Sequence, residues 1–109
     1  MKQFDDLIQA YAASGMDSAI VAAWYAQTSP SADALSALAE SIGAAFLGSR
    51  ISFNVSNGLL NQLMPLAGFE SAPRRFWQYY IAFEDSETSN DPNTQARSAV
   101  SALTAEGAG

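Results

Sequence analysis

Arg74-Arg75-Phe76-Trp77-Gln78-Tyr79-Tyr80-Ile81-Ala82-Phe83-Glu84-Asp85 holds five of the chain's twelve aromatic residues. No other stretch offers as much burial energy per residue, so the fold is expected to pack around it. Wound as a helix, Phe76, Trp77, Tyr79, Tyr80, Ile81 and Phe83 cover an arc of roughly 200°. Arg74, Arg75, Gln78, Ala82 and Asp85 share the remainder, and Glu84 falls inside the apolar arc between Trp77 and Tyr80. Ser71-Ala72-Pro73 supplies a start signal. Read as a strand, Trp77, Tyr79, Ile81 and Phe83 make one apolar face, and their residue types favour β structure. The helical character of the flanking segments favours the helix.

The charges fit that helix poorly. Arg74 and Arg75 stand at the positive end of its dipole, and Glu84, Asp85 and Glu87 at the negative end. Each misplacement costs a few tenths of a kcal/mol, up to about 1. They are therefore candidates for a role outside the helix.

Outward from this stretch, the chain reads as helices. Phe4, Leu7, Ile8 and Tyr11 make one face of a helix over 3–13, with Asp5 and Asp6 in its first turn. Ser14 or Asp17 caps a second over 17–27, faced by Ile20, Val21, Trp24 and Tyr25. Ser29 as cap and Pro30 at the first helical position open a third, which runs to about Leu47 on Leu35, Leu38, Ile42 and Phe46. In 51–56, Ile51, Phe53 and Val55 alternate with polar residues, as in a strand. With no partner strand, that segment is expected to be irregular or helical. A helix is expected to resume at Asn57 and to end near Pro65.

The expected fold is all-α, a compact bundle of four to six short helices. It divides into a helical domain over 1–85, a polar loop over 86–93, and a short C-terminal helix or frayed tail over 94–109. The expected core comprises Phe4, Leu7, Ile8, Ile20, Val21, Trp24, Leu35, Leu38, Ile42, Phe46, Leu60, Leu63, Trp77, Tyr80, Ile81 and Phe83.

Composition narrows the function. A chain of 109 residues with 49% hydrophobic and 15% charged residues suits one modest core and is slightly apolar for a small monomer. A net charge of −6, with five scattered basic residues, disfavours direct contact with nucleic acid phosphates. The absence of cysteine and histidine excludes thiolate chemistry, disulfides and histidine-based metal sites or general bases. No calcium loop, phosphate loop or nucleophile elbow is present. Glu40 and Glu84 are the candidates for paired-carboxylate chemistry, because each lies near an apolar face. Ile51–Phe69 carries no charge, but its asparagines, glycines and proline suit a membrane span poorly. Asp5 and Asp6 interrupt any secretory leader, which makes a cytoplasmic location the expectation.

No catalytic residue, cofactor or metal is expected. By elimination, the leading expectation is a non-enzymatic factor that binds another protein stoichiometrically. Small inhibitors, immunity proteins and phage anti-defence proteins share its size and charge. The candidate contact residues are Asp5, Asp6, Arg74, Arg75, Glu84, Asp85 and Glu87, facing a partner with a basic surface. Self-association as a homodimer or assembly subunit is the second expectation. A small-molecule pocket framed by Trp24, Trp77 and Tyr80 is the third.

Overall fold

A computed structural model describes the backbone of residues 2–108 and the side chains of residues 4–106. Six helices follow one another: α1 (Lys2–Ala13), α2 (Ser18–Thr28), α3 (Ala32–Leu47), α4 (Phe53–Ala67), α5 (Arg74–Glu87) and α6 (Pro92–Ala108). The described residues form an all-α bundle with no strand.

The hub is α4, which packs on all five other helices. Its middle is small and aliphatic, so neighbours approach from every side. Ser56, Leu59, Leu60, Leu63 and Met64 are fully buried. The 51–56 segment, expected to be irregular or helical, gives its last four residues to this helix, which starts at Phe53 rather than at Asn57. The Ser52 hydroxyl accepts from the Val55 amide at 3.1 Å and so starts the helix. The Ser56 hydroxyl donates to the Ser52 carbonyl at 2.8 Å, which lets a poor helix former sit buried. Pro65 does not stop α4; the helix continues to Ala67, and the Gly68 amide bonds back to the Met64 carbonyl at 3.0 Å.

α3 is the second shared element and packs on α1, α4, α5 and α6. Its start differs from the expected one. Ser29 adopts a left-handed conformation (φ 45°) and closes α2, while Ser31 caps α3 through the Ala34 amide at 3.1 Å. Pro30 therefore lies between two helices rather than inside one. Gly43 on α3 is buried, and a Cβ built there would stand 2.6 Å from Cε1 of Tyr79. That missing side chain lets α3 and α5 close on each other.

α5 turns a different face inward than the one expected. Phe76, Tyr79 and Phe83 are fully buried, and Ala82 and Ser86 line the same side. Phe83 meets Phe46 edge-on, with ring centroids 5.1 Å apart. Trp77 and Tyr80 are only half-buried, and Ile81 is 46% exposed. Ile20 and Trp24, also assigned to the core, are half-buried on α2. α6 docks through Ala96 and Val100, both fully buried.

Two arginines lock the bundle. Arg97 on α6 donates to the carbonyls of Phe46 at 3.2 Å and Leu47 at 2.8 Å, placing a cation at the C-terminal end of α3. Arg75 on α5 donates to the Leu103 carbonyl of α6 at 2.7 Å and pairs with Glu40 of α3 at 3.0 Å. No helix among the described residues is long and apolar enough to cross a membrane.

Candidate protein-binding surface

Helical geometry sets the outer face of α5. Positions three and four apart share a side, so Arg74, Trp77, Ile81 and Glu84 form one stripe opposite the buried Phe76, Tyr79 and Phe83. Of these four, Arg74 and Ile81 are exposed, and Trp77 and Glu84 are half-buried. The chain between α4 and α5 widens the apolar centre of the stripe. Phe69, 50% exposed, lies with its ring centroid 6.1 Å from that of Trp77. The Trp77 indole donates to the Phe69 backbone carbonyl at 3.0 Å, which ties the Trp77 ring to the Phe69 main chain. Tyr80 meets Trp77 edge-on at 5.5 Å. Leu66, on the last turn of α4, is 42% exposed. Leu66, Phe69 and Ile81 are three of the four large apolar side chains exposed among the described residues; the fourth is Met16. Phe69 and Ile81 flank Trp77, and such grouping is characteristic of contact surfaces rather than of scattered surface residues.

The ends of the stripe carry opposite charge. Arg74 stands at its N-terminal end and forms no ion pair among the described residues. Glu84 and Asp85 stand at the other end. Burial, and secondarily the carboxylates of Glu84 and Glu87, push the Tyr80 hydroxyl above its ordinary range.

The seven residues expected to form a contact do not form one patch. Arg74, Glu84 and Asp85 share the outer side of α5. Arg75 lies on another side, where Glu40, Gln78, Tyr79 and the Leu103 carbonyl occupy its guanidinium. Glu87 accepts from the Asn57 amide of α4 at 3.3 Å. Asp5 and Asp6 are on α1, which does not pack on α5 among the described residues. They line two separate hollows, Asp5 with Arg50 and Ile51, and Asp6 with Trp24 and Thr28.

Other expected constellations are likewise separated. Glu40 sits on the Arg75 side of α5, and Glu84 lies on the opposite side of that helix, so the two do not face one substrate. Trp24 on α2 contacts Phe4 and Tyr25, whereas Trp77 and Tyr80 belong to α5, and α2 does not touch α5. Those three aromatics frame no common pocket. Every buried side-chain nitrogen and oxygen among the described residues has a hydrogen-bond partner.

The expected list missed Phe69 and Leu66. Both lie in a breaker-rich segment that reads as core plus loop. No protein-family model matches the chain, and neither curated proteins nor solved structures give a significant match.

Proposed function

We infer that this is a non-enzymatic, stoichiometric protein-binding factor that works through the outer face of α5. The observation that carries this reading is the apolar group of exposed Phe69 and Ile81 flanking the half-buried Trp77, with Arg74 at one end and Glu84 and Asp85 at the other. An aromatic centre inside a polar rim is the usual composition of a binding hot spot. The acidic end and the net charge of −6 favour cationic groups on the partner at that end. Small inhibitors, immunity proteins and anti-defence proteins are built at this size and charge, an analogy of construction that supports the reading.

The second reading, self-association, is favoured by the opposite charges at the two ends of one stripe. The test is affinity capture at low salt with tagged protein from cells that also hold an untagged copy. Wild type is expected to retain one protein in stoichiometric amount, its own untagged copy included, and to release it as salt rises. Ile81→Glu is expected to lose it. Equal retention by wild type and Ile81→Glu, or no stoichiometric protein at all, contradicts the reading.

A further inference from the structure

The geometry points to a second copy of this chain as the occupant of the α5 face, with the two α5 helices antiparallel about a twofold axis. This deepens the reading of that face as a protein contact and rests on it.

The stripe is its own complement. Arg74, Trp77, Ile81 and Glu84 are spaced three, four and three residues apart, a pattern symmetric about position 79. When such a helix is turned end for end, Trp77 lies against Ile81 of the partner subunit, and Ile81 against Trp77 of the partner subunit. Arg74 lies against Glu84 of the partner subunit, and the same pair recurs at the far end. The spacing is also the three-four repeat by which paired helices mesh. Each contact is made twice, as a twofold interface requires.

The pairing also accounts for the dipole mismatch. Arg74 stands at the positive end of its own α5, and no side chain caps that helix. In the antiparallel pair it comes beside the negative end of the partner's α5. Glu84 and Asp85, at the negative end of their own helix, come beside the positive end of the partner's. The arrangement that is unfavourable in one copy becomes complementary in two. A parallel pair would set Arg74 against Arg74 and Glu84 against Glu84, so charge selects the antiparallel orientation.

The surface is small. α5 has 14 residues, or about 21 Å of helix, and Phe69 adds only its margin. An interface of this kind falls below about 1,200 Å² and suits a reversible dimer rather than an obligate one.

Charge reversal tests the pairing. Sedimentation equilibrium is run across the micromolar range on wild type, Arg74→Glu, Glu84→Arg and the double variant, with circular dichroism confirming the fold of each. Wild type is expected to show a concentration-dependent monomer–dimer equilibrium. Each single reversal is expected to raise the dissociation constant by about tenfold or more, and the double variant to return it toward wild type. An equimolar mixture of the two single variants is expected to dimerise, because both end pairs are then opposite in sign. A wild type that stays monomeric overturns the self-pairing, as do single reversals that dimerise like wild type. The broader reading of α5 as a contact face fails separately, when Ile81→Glu captures the same stoichiometric protein as wild type.

Discussion

The guanidinium of Arg75 donates to the Leu103 carbonyl at 2.7 Å, across 28 residues of sequence. This bond joins α5 to α6, and the Glu40 carboxylate joins the same side chain to α3. The Arg75 side chain is 19% exposed and that of Glu40 is 49% exposed, so the two partners contribute unequally. Replacing Arg75 with Ala removes the donor shared by the Leu103 carbonyl and the Tyr79 hydroxyl, and leaves Tyr79 only its contact with the Thr104 hydroxyl at 3.4 Å. It is expected to cost about 1–3 kcal/mol in urea unfolding, with lost amide protection in α6. Glu40→Ala removes only a half-exposed pair and is expected to cost under about 1 kcal/mol. Equal losses from the two variants would contradict the clamp.

Gly43 and Gly58 offer a second comparison. A methyl group at Gly43 meets Val100 at 3.1 Å and the ring of Tyr79, which is buried and lies under the Arg75 guanidinium. Overpacking outweighs the gain in helix propensity, and Gly43→Ala is expected to lose about 1 kcal/mol or more of stability. At Gly58 the first obstacle is the terminal methyl of Met16, a flexible and exposed side chain that can swing away. The Tyr11 hydroxyl is the second, at 2.8 Å. Gly58→Ala is therefore expected to be the milder of the two. Thermal unfolding of both variants checks the order.

Asp91 gives the chain a pH-dependent cap. Its carboxylate accepts from the Thr94 hydroxyl at 2.7 Å and from the Thr94 amide at 3.2 Å. Those bonds, the side-chain one first, hold its pKa below the ordinary Asp range. In the unfolded chain the group titrates at its ordinary value. The stability it contributes is therefore complete above that range and disappears as pH falls through the lowered folded value. Asp91→Ala is expected to weaken folding near about pH 6 and to approach wild type near about pH 2.5. A gap between the two proteins that stays constant over this window would contradict the cap.

Helix content and most core positions could be read from periodicity, because Phe4, Leu7, Ile8, Leu35, Leu38, Ile42 and Phe46 repeat every three or four residues and are all buried. Two failures have local causes. Thr28-Ser29-Pro30-Ser31 offers two serines that cap equally well in sequence, and only the left-handed backbone of Ser29 decides between them. The alternation in 51–56 is too short to show that the helix expected to resume at Asn57 already starts at Phe53.

The remaining failures are tertiary. The apolar arc of α5 is wider than its neighbours can cover, so periodicity alone could not show that Ile81 and Trp77 would be left at the edge. The roles of Arg75 and Arg97 depend on carbonyls 28 and 50 or more residues away. Of the expected contact residues, Arg74, Glu84 and Asp85 do share one face. Their conflict with the helix dipole was the legible signal. It also marked Arg75, whose partners lie within the same molecule.

The outer face of α5 is tested most directly by the sedimentation mass of Ile81→Glu beside that of wild type. Ile81 is exposed, so the substitution is expected to leave stability within about 0.5 kcal/mol. Wild type is expected to rise with concentration from the 11.5 kDa of one chain toward twice that mass, and Ile81→Glu to remain at the mass of one chain throughout. Identical masses for the two proteins at every concentration would contradict the assignment of this face to self-pairing.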